Sequence, residues 1–177
     1  MKKLFLSLIT VLLLITTTAC NSDSGLVKVN VDALFFEGST EEEIVKEAES
    51  LGLKFYTIHK DGSVTYEIEE AHYQEILKNY VANLEVICNE FAKGEEKIES
   101  FEEINYSDNL DTFNFIVNEK YSSMDLSLGF PFLIMGAYYQ NFSGNKLKDI
   151  DVKVNFIDQK TNETLDSISF KEVMNAQ

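Results

Sequence analysis

A recurring order of elements dominates the sequence: after a first strand, a helical pattern is followed by a pair of strands three times. The helical patterns cover residues 40–51, 70–93 and 119–142, and the strand pairs cover 53–68, 101–117 and 150–170. Antiparallel hairpins separated by helices are typical of an α+β layer. The sequence therefore predicts an α+β fold, an antiparallel sheet of about six or seven strands built from hairpins, with three helices packed on one face.

Local signals support this order near the start of the chain. Val27, Val29 and Val31 alternate with polar residues, which indicates a half-buried strand. Thr40 and Glu43 have the spacing of a capping box, so a helix should begin there. Asp61-Gly62 lies between two apolar runs and predicts a tight hairpin turn.

The third helical pattern contains an unusual uncharged segment. Residues 126–145 carry no charge, and residues 126–139 are almost wholly apolar, interrupted by Gly129, Pro131 and Gly136. We interpret the segment as a central helix buried on most sides, kinked at Pro131 and closely packed at Gly136. The alternative is a lipid-facing or ligand-facing surface with a polar rim at Tyr138, Tyr139, Gln140 and Asn141.

The N-terminus has the order of a secretory signal peptide. Lys2 and Lys3 precede an apolar run of about 12 residues, and small residues follow up to Ala19. The run is shorter than the roughly 20 residues that a membrane-spanning helix needs. The segment 1–19 is therefore predicted to be removed.

Residues Thr17-Thr18-Ala19-Cys20 resemble the lipobox of bacterial lipoproteins. The resemblance implies that Cys20 receives a diacylglycerol and becomes the first residue after cleavage. The same small residues also suit an ordinary signal peptidase, which would release the chain. With the lipid in place, residues 20–25 form a lipidated cysteine and a short tether, and two acyl chains are enough for stable anchoring.

The charge and the size of the chain without its signal peptide limit the domain organisation and the partners that we expect. Removal of Lys2 and Lys3 with the signal peptide changes the net charge from −15 to −17, and all fifteen basic residues are lysines. Residues 26–177 are the right size for a single α+β domain. Such an acidic domain is a poor candidate for nucleic-acid binding. We expect no nucleic-acid partner, and the oligomeric state stays open.

The remaining cysteine, Cys88, has no partner for an intramolecular disulfide if Cys20 is lipidated. It lies on the apolar face of the second helical pattern. Because a free cysteine is commonly buried as a small hydrophobic residue, we assign Cys88 to the core rather than to catalysis.

The candidate catalytic residues are few. His59 ends a strand and His72 begins a helix, with Asp61, Glu69 and Glu70 nearby in sequence. If the hairpin folded back beside the helix, two imidazoles and a carboxylate could meet as a zinc site. Spaced histidine pairs on one helix face, paired cysteines and glycine-rich nucleotide loops are absent from the sequence, so we predict neither metal nor cofactor.

Residues 31–44, together with 61–66 and the closing hairpin 152–170, resemble a group of short Gram-positive lipoproteins that carry no assigned activity. The resemblance implies export and anchoring, and it supplies no functional residues. We therefore expect a lipoprotein anchored through Cys20 at the outer face of the cell membrane. Its role is expected to be non-enzymatic binding, with an envelope protein as a possible partner. The alternative is an envelope enzyme with a site near His59 and His72.

Overall fold

A computed structural model describes residues 25–53, 55–95 and 97–175. In this part the chain forms seven β-strands and four α-helices, which confirms the α+β class. In chain order they are β1 (Leu26–Val31), α1 (Glu41–Ser50), β2 (Phe55–Ile58), β3 (Val64–Glu69), α2 (Glu70–Lys93), β4 (Phe101–Tyr106), β5 (Thr112–Val117), α3 (Phe130–Phe142), β6 (Lys153–Asp158), β7 (Thr164–Ser169) and α4 (Phe170–Asn175).

The strands form two sheets, in the orders β1-β3-β2 and β4-β5-β6-β7. The prediction of one sheet of six or seven strands with three helices is therefore wrong in detail. The predicted all-antiparallel pairing also fails at one place, because β5 and β6 are parallel. Parallel neighbours need a crossover connection, and α3 lies in the segment that joins these two strands.

The described chain divides into two compact units. The first contains the residues up to Asn83 together with Asn141–Gly144, and the second contains Leu84–Gln140 and the residues from Asn145 onward. Each unit holds one of the two sheets. A single domain over residues 26–177 stays a prediction.

In the first unit, β3 pairs with β1 and β2 in the registers Val29↔Tyr66 and Tyr56↔Tyr66. Val29 and Val31 of β1 and the apolar positions of β3 are buried, as the alternating pattern predicted, whereas Val27 is half-buried. The Thr40–Glu43 capping box begins α1 and is confirmed. Both residues satisfy backbone N–H groups that the first turn of a helix leaves without partners.

In the second unit, an aromatic cluster fills the space between the sheet and α3. Phe101, Phe115 and Phe156 stack through tilted or edge-on contacts across three neighbouring strands. Phe132 of α3 is fully buried against this layer. The uncharged segment is therefore the core helix that we expected.

The predicted helix 119–142 begins later than expected, at Phe130. A 3-10 helix, Ser123–Gly129, precedes it. Pro131 thus lies in the first turn of α3, where its missing N–H costs nothing, and it does not kink the middle of a helix. A Cβ at Gly129 would lie 2.9 Å from Ile168 Cδ1, so the chain passes close to β7 at this point.

The predicted last strand, which was to end at Phe170, ends one residue earlier, because Phe170 begins α4. The Ser169 hydroxyl accepts a hydrogen bond from the backbone N–H of Glu172, and a serine in this position favours the start of a helix.

The predicted signal peptide 1–19 and the predicted lipidation site Cys20 lie outside the described residues. Of the predicted lipidated cysteine and tether, residues 20–25, the structure describes only Gly25. Among the helices of residues 25–175 that are described, none is both long enough and apolar enough to span a membrane.

Candidate functional site

The four-stranded sheet has one buried and one open face. Along β5 and β6, Phe113, Phe115, Val154 and Phe156 are fully buried, and the residues between them point to the opposite side. We call this opposite side the amide face. It consists of the outward positions that are partly or fully exposed: Glu103, Asn105, Thr112, Asn114, Ile116, Lys153, Asn155, Ile157, Thr164 and Ser167.

A row of neutral polar side chains crosses all four strands of the amide face. The register aligns Asn105, Asn114, Asn155 and Ser167 side by side. The Ser167 hydroxyl donates to Asn155 Oδ1 at 2.9 Å, and Asn155 Nδ2 donates to Asn114 Oδ1 at 2.9 Å. In both hydrogen bonds the donor lies on the β7 side and the acceptor on the β4 side. Asn114 therefore uses its amide oxygen within the row and presents its NH₂ as a donor group.

The amide face differs from the rest of the chain in charge. The whole chain has a net charge of −15 and 25% charged residues. The ten positions named above hold one acid, Glu103, and one base, Lys153, and the half-buried Glu102 lies beside Glu103 as the extra residue of the β4 bulge. The row Asn105–Asn114–Asn155–Ser167 across the middle of the face is uncharged, and depletion of charge is a mark of the central part of protein–protein interfaces.

Aliphatic side chains lie beside the amide row. Ile116 and Ile157 are half-buried neighbours on β5 and β6. Leu165 is the extra residue where the β6–β7 register shifts, and 46% of its surface is exposed. The face therefore offers neutral hydrogen-bonding groups and apolar surface together.

His59 lies on the outward face of the three-stranded sheet. Its Nε2 is 2.8 Å from the Thr65 hydroxyl, which in turn donates to Asn30 Oδ1 at 2.9 Å. Because the Thr65 hydrogen is used in the second bond, Thr65 accepts from the imidazole N–H. His59 thus belongs to an exposed polar row of the sheet.

His72 has a structural partner at the end of α1. Its Nε2 donates to the carbonyl oxygen of Leu51 at 2.8 Å, one of the carbonyls that a helix end leaves without a partner. The same ring packs over Gly52, where a Cβ would lie 3.4 Å from it and where φ is +70°. The Glu75 carboxylate is 3.6 Å from His72 Nδ1.

The proposed zinc arrangement has no counterpart among the residues that the structure describes, where no three His, Cys, Asp or Glu side chains are grouped so that they could hold a metal ion. His59 and His72 each have the hydrogen-bond partner described above.

Cys88 lies in the core, as the helical pattern predicted. Only 4% of its surface is exposed, and it forms no disulfide. Burial, above all, raises the pKa of the thiol to about 12. A thiol with such a pKa is almost wholly protonated at neutral pH, which suits packing and opposes nucleophilic reactivity.

Three of the four residues predicted as the rim of a surface site are buried, which contradicts that alternative, and the fourth, Tyr139, is half-buried. Tyr138, Gln140 and Asn141 are each less than 10% exposed. Asn141 Oδ1 accepts a hydrogen bond of 2.8 Å from the backbone N–H of Asp32 within the first unit.

Sequence reasoning missed the amide face and one half-buried acid. The signal for the face is the placement of Asn114 and Asn155 between inward-facing aromatic residues of two strands, but their adjacency depends on the parallel pairing. This acid is Glu47 of α1, and its partial burial raises its pKa to about 7. The helical pattern places it one residue before the buried Ala48.

Comparisons with protein families, with curated proteins and with solved structures find no match to this chain.

Proposed function

We propose that the protein is a lipid-anchored, non-enzymatic interaction module of the cell envelope, and that it binds a protein partner through the amide face. The anchor rests on the signal pattern of residues 1–19 and the lipobox-like residues 17–20. The resemblance to short Gram-positive lipoproteins agrees with this placement.

The observation that carries the proposal is the neutral row Asn114–Asn155–Ser167 on an open sheet face in a strongly acidic chain. A face that served only solubility would be expected to carry the charge found elsewhere on the chain. An uncharged row beside Ile116 and Ile157 is easier to desolvate than a charged one, because none of its side chains carries a charge that has to leave water. Its amides then provide directional hydrogen bonds to the partner.

Site-specific photo-crosslinking in intact cells tests the proposal. A photoreactive amino acid replaces the exposed Ser167 on the amide face or the exposed Thr161 in the β6–β7 turn. Crosslinking from position 167 should give one discrete adduct that is absent from position 161.

A second substitution connects the adduct to the amide row. Asn114→Asp keeps the oxygen that accepts from Asn155 and replaces the donor NH₂ by a negatively charged oxygen, so the fold should be retained. We expect the adduct to weaken by about tenfold or more, because the new charge must be desolvated. Asn162→Asp adds the same charge in the exposed turn and serves as the matched control. An adduct that survives Asn114→Asp, or that appears equally from position 161, contradicts the proposed surface.

A further inference from the structure

A groove of about 300 Å³ lies in the second unit between the last turns of α2 and the strand β4. From the helix, it is lined by one face with helical spacing: Glu85, Cys88, Asn89, Ala92 and Lys93. From the strand, it is lined by four consecutive residues: Glu103, Ile104, Asn105 and Tyr106. Because these four residues alternate between the two faces of the sheet, the groove follows the strand's outer edge.

β4 is an edge strand, since the sheet order is β4-β5-β6-β7. The backbone N–H of Ser107 donates to Thr112 O, so the hydrogen-bonded pairs of this hairpin include Asn105 with Asn114, two residues earlier. Ile104 and Tyr106 therefore direct their backbone N–H and C=O groups away from β5, towards the groove. Such an edge is a template for an additional strand.

The floor and the walls of the groove differ in chemistry. Cys88, Ala92 and Ile104 are buried and form a small apolar floor. The walls carry the amides of Asn89 and Asn105 and the carboxylates of Glu85 and Glu103, against a single lysine, Lys93. The groove is thus polar at its rim, net negative and shallow.

Charge within the groove is uneven. Burial first, and then the neighbouring Glu85 and Cys88 side chains, raise the pKa of the Tyr106 hydroxyl. Glu85 also acts on the Cys88 thiol. Lys93 ends α2 and Phe101 begins β4 after a short connection, so Lys93 lies towards the Glu103 end of the groove and Glu85 towards the Tyr106 end. The Glu85 end keeps its negative charge.

We propose that this groove binds an extended peptide segment, which adds to the outer edge of β4 as a fifth strand and places a lysine or arginine side chain against Glu85. Backbone hydrogen bonds to Ile104 and Tyr106 supply affinity, and alternate side chains meet the small floor and the acidic wall. This site shares Glu103 and Asn105 with the amide face. It differs in using the outer edge of β4 and Glu85 of α2, so Glu85→Lys tests it without changing the row Asn114–Asn155–Ser167.

Fluorescence anisotropy with the full chain and three labelled hexapeptides tests the proposal. The first peptide alternates lysine with valine, the second alternates glutamate with valine, and the third is the lysine peptide with N-methyl groups on alternate backbone nitrogens. The lysine peptide should bind saturably. The glutamate and N-methylated peptides should bind at least about tenfold more weakly. The glutamate peptide lacks the positive charge that would lie against Glu85, and the N-methylated peptide lacks backbone N–H groups that would bond to the edge of β4.

Two variants locate the binding. Glu85→Lys reverses the charge in the groove, and Glu90→Lys makes the same change on an exposed α2 residue that does not line it. We expect Glu85→Lys to weaken the lysine peptide about tenfold or more and Glu90→Lys to weaken it far less. Circular dichroism melts establish that both variants fold, and amide chemical shifts of Ile104 and Tyr106 give a second readout. Equal effects of the two variants, equal binding of the N-methylated peptide, or unchanged amide shifts would overturn the proposal.

Discussion

The ring of Phe132 on α3 meets the ring of Phe115 on β5 edge-on, with 4.9 Å between the ring centroids. Phe132 makes further edge-on contacts with Phe91 and Phe113 at 5.7 and 5.6 Å. Aromatic pairs in this geometry contribute beyond the area that they bury. The contacts identify Phe132 as the residue that joins the uncharged helix to the sheet of the second unit.

Phe132→Ala should therefore lower the free energy of unfolding by about 3 to 5 kcal/mol, because it leaves a cavity in a closely packed aromatic cluster. Phe130→Ala on the same helix is the control. Phe130 is 37% exposed, so its loss should cost less than about 1 kcal/mol. Denaturant titrations of both variants measure the difference. Equal stability of the two variants would show that α3 is not the core helix.

The close approach at Gly136 gives a second prediction. A Cβ at this position would lie 2.5 Å from Leu110 O and 2.8 Å from Val152 Cγ1. Gly136→Ala should destabilise the protein by about 1 to 3 kcal/mol, although alanine favours a helix, because the backbone atom cannot move aside cheaply. Gly25→Ala, with nothing within 4 Å of the added Cβ, is the matched control. A stabilising effect of Gly136→Ala in thermal melts would contradict the packing described.

The sequence predicted local features well because their signals are local. The Thr40–Glu43 capping box, the Asp61-Gly62 turn and the buried face around Cys88 each depend on residues a few positions apart. Within this turn the Asp61 carboxylate accepts hydrogen bonds from both the N–H and the hydroxyl of Ser63.

The arrangement of the strands could not be predicted in the same way. Alternation fixes which side of a strand is buried, but it does not decide which hairpin edges join. The pairing of Asn114 with Asn155 bridges 41 residues and depends on the crossover through α3. The amide face exists only once that pairing is made, so it had no local signature.

Glu47 gives a prediction about pH. Burial raises its pKa to about 7, whereas an unfolded chain has a glutamate pKa of about 4.3. The folded state therefore holds the proton more tightly, and the stability that Glu47 contributes is present below pH 4.3 and is lost as the pH rises to about 7. Because part of the Glu47 side chain is exposed, we expect the free energy of unfolding to fall by about 2 kcal/mol over this pH range. This is less than the full pKa shift implies.

Glu47→Gln should remove this dependence of stability on pH. Relative to the parent, the variant should be more stable by about 1 to 2 kcal/mol at pH 8 and nearly equal at pH 4.5. Glu49→Gln, at an exposed position of α1, is the control and should change little at either pH. Urea titrations across this pH range measure the free energy of unfolding. If it depended on pH in the same way in the parent and in Glu47→Gln, the raised pKa of Glu47 would be contradicted.

Cys88 should be almost inert to thiol reagents in the folded protein. A pKa of about 12 lowers the thiolate fraction at pH 8 on the order of a thousandfold relative to an ordinary cysteine. Mass-spectrometric mapping of the Cys88 peptide after alkylation, with and without denaturant, tests this. Labelling of the native protein at the rate of the denatured one would show that the thiol is not in the core.

Anchoring through Cys20 is tested most directly by fractionation of cells that express the full chain with Cys20→Ser. The thioether forms on the cysteine sulfur, so the serine variant should leave the membrane fraction for the medium or stay uncleaved. Cys88→Ala removes the other thiol and should remain in the membrane fraction, at a cost of about 1 kcal/mol in stability. A correctly processed Cys20→Ser protein that is retained in the membrane as well as the parent would contradict the account of a lipid-anchored module.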